Sequence, residues 1–101
     1  MSGEHVAMKV TVKYFAMIRD MTQKKQDVLD FGEETSVQTM LSRLCDMYGE
    51  EFKQSVCTAE GSLKEGLILL LNGEAVNREE FRTKMLKEGD MAAIMPPVGG
   101  G

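Results

Sequence analysis

The sequence predicts one α+β domain, built as a mixed sheet of four to five strands with one main helix packed on one face. Three observations predict this fold class. Apolar and polar residues alternate after Met8, as in a half-buried strand, and an amphipathic helical pattern begins near Ser36. Two further strand-like runs, 66–71 and Met91–Met95, follow that helix. One helix laid across one face of a sheet buries all of these apolar stripes.

The chain of 101 residues has the length of a single domain. We expect a flexible amino-terminal extension over residues 1–7, a folded domain over 8–95 and an extended tail over 96–101. The amino end lacks the apolar core of a signal peptide, which predicts a cytoplasmic protein. Cys45 and Cys57 form no CxxC spacing, so we expect both to be reduced and structural.

Two strands open the domain. Met8–Tyr14 alternates apolar residues with Lys and Thr, and Gln26–Phe31 reads as a second strand. The polar stretch 19–24 between them predicts a turn. The short gap predicts that the two strands form an antiparallel hairpin.

The main helix is predicted over residues 36–48. Thr35 at its start, with Gln38 reaching back to it, fits a capping box. Gly49 follows the last apolar position, where a left-handed cap is favoured. The apolar stripe has three- and four-residue spacing and consists of Val37, Met40, Leu41, Leu44 and Tyr48.

The region after the helix begins with residues 50–65, which have no clean period and predict a loop, with one helical turn near 51–56. The continuous apolar run 66–71 predicts a strand that is covered on both faces.

A tight hairpin follows that strand. Asn72 and Gly73 favour a turn with positive φ at both positions, and 74–77 would pair back as an edge strand. Met91–Met95 is the last strand. We expect the first and last strands to lie side by side in the middle, with the tail leaving from the edge of the sheet.

Catalytic constellations are missing from the sequence. The only histidine is His5, in the loose amino end, which excludes histidine-based nucleophile activation and histidine-bound metal sites. A net charge of −4 disfavours nucleic acid as a partner. No phosphate-binding loop motif is present, and paired glutamates in predicted loops indicate solvated surface. We therefore expect no metal, no stably bound cofactor and no catalysis by the chain alone.

The carboxyl-terminal sequence PPVGGG is unusual for a folded domain. Pro96 and Pro97 each fix φ and extend the residue before them, which holds the tail away from the last strand. Glycines lack Cβ, so 99–101 could thread a narrow channel in a partner. The reactive group at the end of such a tail is the α-carboxylate of Gly101. A frayed, idle terminus is the alternative interpretation of the same residues.

Three stretches carry a resemblance to a known family: YFAMIRDM, LLLNGEAV and KEGDMAAIMPPVGGG. Together they resemble the MoaD/ThiS branch of ubiquitin-like β-grasp proteins, over residues 8–101. The most similar members are the small subunit of molybdopterin synthase and the small archaeal modifier proteins. An aromatic–Ala–x–x–Arg segment combined with a terminal GD…PPV…GG is the most specific feature. The strand order predicted above agrees with the β-grasp topology that the resemblance implies.

The resemblance implies that an ATP-dependent, ubiquitin-activating-type enzyme adenylates Gly101. The adenylate then becomes a thiocarboxylate that donates sulfur, or it is attacked by a lysine to form an isopeptide bond. Phe15 and Arg19 match the family's first-strand segment and are candidates for partner binding, although Phe15 could equally be a core residue. The terminal pair is Gly100 and Gly101, and the spacer before it comprises Pro96, Pro97, Val98 and Gly99.

Three functions remain open at this point. The first is sulfur carriage, with delivery to a molybdopterin synthase large subunit or to thiolation of tRNA or thiamine precursors. The second is covalent modification of lysines on target proteins. The third is a non-covalent β-grasp binding module with an idle tail. The first two require an activating enzyme as partner, with ATP consumed by that enzyme.

Overall fold

The computed structural model describes residues 8–96. The predicted extension 1–7 with His5, and Pro97, Val98, Gly99, Gly100 and Gly101 of the tail, lie outside the described residues. In chain order the elements are β1 (Met8–Tyr14), α1 (Ala16–Thr22), β2 (Gln26–Phe31), α2 (Val37–Tyr48), α3 (Glu50–Val56), β3 (Ile68–Leu71), β4 (Glu74–Ala75), a 3₁₀ turn (Arg78–Glu80) and β5 (Met91–Met95).

The five strands form one mixed sheet in the order β2-β1-β5-β3-β4. β1 and β5 run parallel in the middle, and the other pairs are antiparallel. This confirms the predicted pairing of the first and last strands. The prediction that the tail leaves from the edge of the sheet is wrong. β5 is the central strand, and the chain departs from its carboxyl end at Pro96.

The hydrophobic core lies between the sheet and the helices. β1 contributes alternate residues to it, and α2 contributes the predicted stripe, of which all but the partly buried Tyr48 are buried. The prediction that β3 is covered on both faces is wrong. Leu69 and Leu71 are buried, whereas Ile68 and Leu70 on the opposite face are only half-buried. The described helices cover one side of the sheet, so strand residues that point the other way stay accessible.

The start of α2 differs from the predicted capping box by one residue. Ser36 is the N-cap, and its hydroxyl oxygen accepts a hydrogen bond from the Thr39 amide at 3.2 Å. Thr35 is buried and donates to the Glu33 carbonyl, and Gln38 donates its side-chain amide to Gly61. Gln38 therefore ties the helix to a distant loop instead of reaching back to its own first turn.

The polar stretch 19–24 lies largely in a helix, α1, and not in a simple turn. Ile18 and Thr22 are buried four residues apart, which is one helical turn. Gln23 then takes a left-handed conformation and donates its amide to the Arg19 carbonyl, which ends the helix. A seven-residue helix with only two buried positions leaves too weak a periodic pattern to detect in the sequence.

The predicted loop 50–65 also begins with a helix, α3, at the site of the expected helical turn. Gly49 has the predicted positive φ, 86°, and donates its amide to the Cys45 carbonyl. Its ψ of −164° is extended, so it is not a left-handed helical residue. This conformation lets Gly49 end α2 and begin α3 directly.

The Asn72-Gly73 turn is confirmed and is joined to the start of β5. Both residues have positive φ, at 52° and 88°. The Asn72 side chain donates to Asp90 Oδ1 at 2.9 Å and accepts the Met91 amide at 3.0 Å. Asp90 Oδ2 accepts the Lys87 amide at 2.8 Å. These bonds fix the point at which the chain enters the central strand.

We expect Asp90→Asn to lower the free energy of unfolding by about 1–2 kcal/mol, because an amide can replace only one of the two carboxylate acceptors of this buried side chain. Asp46→Asn, on the exposed surface of α2, is the matched control and should change stability by less than about 0.5 kcal/mol. Chemical denaturation at neutral pH measures both. Equal losses in the two variants would contradict a positioning role for Asp90.

Candidate functional site

The candidate site is the carboxyl end of β5, where the tail begins. Ile94 pairs with Tyr14 at the end of β1, and Met95 pairs with Ile68 at the start of β3. Pro96, the last described residue, is half-buried. The predicted spacer thus begins directly at a strand that is hydrogen-bonded on both sides, so the root of the tail has a fixed position.

Phe15 and Arg19 lie beside this root on α1, which packs against β5. Phe15 directly follows Tyr14 and is the N-cap of α1. Its side chain is 38% exposed, so the alternative that Phe15 belongs to the core is wrong. Ala16 takes φ of 55°, a left-handed conformation, which turns the chain sharply from β1 into the helix. Arg19 is exposed one turn along, with its amide donating to the Phe15 carbonyl.

A second surface beside the root is the side of the sheet that the described helices leave uncovered. We call it the apolar sheet face. Met91 is 43% exposed, and its neighbours in the central strands are half-buried. The paired positions of β5 and β3 place these side chains on one continuous surface that ends at the tail root. The residues of the apolar sheet face are Met91, Ala93, Met95, Ile68 and Leu70.

The sequence interpretation missed the apolar sheet face, although a signal for it exists. β3 and β5 are apolar at every position, instead of alternating. With only one main helix predicted, a sheet can be covered on one face alone. Continuous apolar strands in such a domain therefore imply an exposed apolar surface.

Behind the tail root, a polar cluster joins three elements. Tyr14 of β1 and Tyr48 of α2 both donate their hydroxyls to Asp27 Oδ2 of β2, the first at 2.7 Å. Lys24 forms an ion pair with Asp27 Oδ1 at 3.0 Å. The rings of Tyr14 and Tyr48 meet edge to face, with centroids 6.1 Å apart. The cluster ties the ends of β1 and α2 together where the central strand finishes.

Among residues 8–96, no helix is both long enough and apolar enough to span a membrane. The same residues contain no group of three or more histidine, cysteine or acidic side chains arranged to hold a metal ion. The site thus combines a fixed tail root, the exposed Phe15 and Arg19 at the start of α1, and the apolar sheet face.

Comparison with known proteins identifies the family. The ThiS family model matches residues 12–101, nearly the whole chain.

The chain belongs to the ThiS family.

Relatives of this ThiS-family chain align with nearly all of it. A molybdopterin synthase sulfur carrier subunit from Drosophila simulans is 26% identical over 101 residues, covering all of both chains. The solution structure of small archaeal modifier protein 1 from Methanosarcina acetivorans is 30% identical, with a TM-score of 0.71 over 95% of this chain and 99% of that chain. SAMP1 from Haloferax volcanii is 26% identical, with a TM-score of 0.74 over 92% and 99%. These likenesses confirm the predicted ubiquitin-like β-grasp fold.

The charge state of the polar cluster follows from its contacts. Burial opposes ionisation of Asp27, but the hydrogen bonds from Tyr48, Tyr14 and Lys24 outweigh it and lower its pKa below the ordinary 3.8. Burial, with the hydrogen bonds to Asp27, raises the pKa of both tyrosines. Near neutral pH the aspartate is therefore ionised and both phenols keep the protons that they donate.

We expect Asp27→Asn to lower the free energy of unfolding by about 1–3 kcal/mol at pH 7, because one carboxylate accepts three charge-assisted hydrogen bonds. Since the folded pKa of Asp27 lies below the unfolded one, its contribution is fully present above the ordinary value near 3.8. That contribution is lost as the pH falls through the lowered pKa of the folded state. Denaturation curves from pH 7 to pH 2 should show a smaller acid-induced loss in the variant.

Asp30→Asn is the control for this prediction. Asp30 lies on the same strand and pairs with Lys9, but its side chain is 63% exposed, so the pair should contribute little. An acid profile of Asp27→Asn that parallels the wild type would show that Asp27 does not stabilise the end of the sheet through its charge.

Proposed function

We propose that this chain is a ubiquitin-like sulfur carrier whose terminal Gly101 is activated by a partner enzyme and then thiocarboxylated. The observation that carries the proposal is the position of β5. It is the central strand of a ThiS-family domain, and it leads at Pro96 directly into the PVGGG sequence. The family match includes that sequence, because it extends to residue 101. The chain itself acts as a cosubstrate, and the partner supplies the catalysis.

The proposed chemistry takes place at one carboxylate. A carboxylate oxygen of Gly101 attacks the α-phosphorus of ATP in the partner's site, and pyrophosphate leaves. Sulfide then attacks the acyl carbon of the adenylate and displaces AMP, which leaves a thiocarboxylate. Gly99 and Gly100 precede the reacting residue, and without Cβ atoms they suit a narrow channel. No cofactor needs to stay bound to the chain during these steps.

The apolar sheet face is the proposed docking surface for the activating enzyme and for the acceptor of sulfur. It is continuous with the tail root, so a partner seated on it receives the tail in a defined direction. Phe15 and Arg19 on α1 would extend the contact on the other side of the root. An exposed aromatic and an arginine are residue types enriched at protein interfaces.

Two uses of the activated tail follow from the relatives. The Drosophila simulans relative is a molybdopterin synthase sulfur carrier subunit, which favours sulfur delivery to a molybdopterin synthase large subunit. The Methanosarcina acetivorans neighbour, at 30% identity, is a small archaeal modifier protein, which favours conjugation to lysines of target proteins. In the second case a lysine amine, instead of sulfide, displaces AMP and forms an isopeptide bond.

Intact-mass spectrometry tests the proposal. The protein is incubated with ATP, a sulfide source and soluble extract of its source organism. We expect the wild type to gain the mass difference between sulfur and oxygen, and a variant lacking Gly100 and Gly101 to stay unchanged. The deletion should keep the thermal stability of the wild type, because the described core lies between Met8 and Ile94.

A variant lacking Ser2 and Gly3 is the matched control, because it removes two small residues from the other end and should react as the wild type does. Tail-dependent species of higher mass without the sulfur shift would assign the chain to conjugation. An unchanged wild type in an extract that activates another carboxyl-terminal glycine would contradict both uses. That outcome would favour the non-covalent binding module.

A charge on the apolar sheet face should block docking. We expect Met91→Glu to slow thiocarboxylate formation about tenfold or more, since a buried unpaired carboxylate at an interface costs at least about 1.4 kcal/mol. Met47→Glu is the control, because Met47 is 45% exposed, against 43% for Met91, but lies on α2. Both variants should unfold at similar temperatures. Equal rates in the two variants would exclude the sheet face as the docking surface.

A further inference from the structure

The two cysteines of the chain meet inside the helical layer, away from the proposed tail chemistry. Cys45 is in the last turn of α2, and Cys57 directly follows α3. Both are free, and their sulfurs are 2.6 Å apart, with no other atom between them. The sequence predicts that each cysteine is structural, but it does not predict that the two thiols are neighbours.

Backbone hydrogen bonds hold both cysteines at this junction. The Cys45 carbonyl accepts the Gly49 amide, which fixes the end of α2. The Cys57 amide donates to the Lys53 carbonyl, and Cys57 forms a β-bridge with Leu63. These contacts fix the backbone of both cysteines, so their closeness is a property of the fold.

Both cysteines are buried, but each lines a surface cleft. Cys45 is 7% exposed and Cys57 is 5% exposed. Cys57 lines two neighbouring clefts of about 490 and 210 Å³, and Cys45 lines the smaller one. Lys53 lines both clefts as well, which places a cation at the approach to the sulfurs. The two clefts thus give a small molecule an approach to the pair.

We propose that Cys45 and Cys57 are an oxidisable dithiol, a modification site that a small disulfide such as oxidised glutathione closes to an intramolecular disulfide. The bond would connect the end of α2 to the segment after α3. The inference is independent of the proposed function, because neither thiol takes part in activation of Gly101.

The reaction is a thiol–disulfide exchange in two steps. The Cys45 thiolate attacks one sulfur of the small disulfide, forms a mixed disulfide and releases one small thiolate, which takes up the proton that Cys45 lost. The Cys57 sulfur then attacks Cys45 Sγ, the second small thiolate leaves, and the Cys57 proton is transferred to it. Two protein thiols are oxidised and one small disulfide is reduced to two thiols.

The environment of Cys57 agrees with this order of steps. Burial, with the hydrogen bond to Cys45, raises the pKa of the Cys57 thiol to about 12, although Lys53 opposes the shift. Cys57 therefore stays protonated near neutral pH in the reduced protein and is not the thiolate of the first step. In the second step it loses its proton to the departing small thiolate while it attacks the sulfur with which it is already in contact.

The test uses the full chain treated with oxidised glutathione, then unfolded and alkylated. We expect a mass lower by two hydrogen atoms, no alkylation, and a peptide cross-linked between Cys45 and Cys57 after digestion. The oxidised protein should melt about 5–15 °C higher, because the bond closes a short loop in the unfolded chain. Reductant should reverse both changes.

Cys57→Ala is the matched variant, in which we expect one glutathione to remain on Cys45. Retention of two alkylatable thiols in the wild type, under conditions that oxidise an exposed dithiol peptide fully, would overturn the proposal. Disulfides between molecules, or two stable glutathione adducts on one molecule, would also overturn it. The wild-type measurement decides the matter even if the variant does not fold.

Discussion

The parallel pairing of β1 with β5 is the contact on which the rest of this structure depends. The two strands come from opposite ends of the described chain and lie in the middle of the sheet. Backbone hydrogen bonds at the start of β5 help to fix their register: the Thr11 amide donates to the Asp90 carbonyl and the Gly89 amide to the Lys9 carbonyl. The loop-closure cost of such a distant pairing is offset by the core that the two strands share with α2. The same pairing fixes the direction in which the tail leaves.

The described helices cover one side of the sheet, so the residues that form the core and those of the proposed docking surface lie on opposite faces. Residues such as Val12 and Ile94 point toward the helices and are fully buried. Their neighbours Ala93 and Met95 point the other way and are only half-buried. If the uncovered side is the docking surface proposed above, a substitution there should change partner binding with little effect on the core. The polar cluster at Asp27 supports this separation, because it holds the end of the sheet from the covered side.

The strands were predictable because their signal is local. Alternation predicts β1, apolar character predicts β5, and the observed bounds of β1, β2 and β5 match the predicted ones, while the Asn72-Gly73 turn follows from its need for positive φ. α1 was missed because its amphipathic signal is two residues long, and the cap of α2 was misplaced because Thr35, Ser36 and Gln38 all carry capping side chains. Their roles depend on the partner that each side chain finds in the fold: Thr35 donates to the nearby Glu33 carbonyl, and Gln38 donates to Gly61, far along the chain. The apolar sheet face required knowing how many helices cover the sheet, which no single segment encodes.

The tail chemistry illustrates a different limit. Side chains and spacing predict a stiff spacer followed by residues without Cβ, but they do not choose between an idle end and a reactive one. Family membership supports the reactive end, and the fold explains why such an end would work. In the proposed function a carboxylate is delivered into another protein's site, and Pro96 follows directly after the strand with hydrogen-bonded partners on both sides, which gives the tail a fixed root. A loosely attached root would lose more conformational entropy on binding, so under the proposed function the central position of β5 would favour the reaction as well as stabilise the sheet.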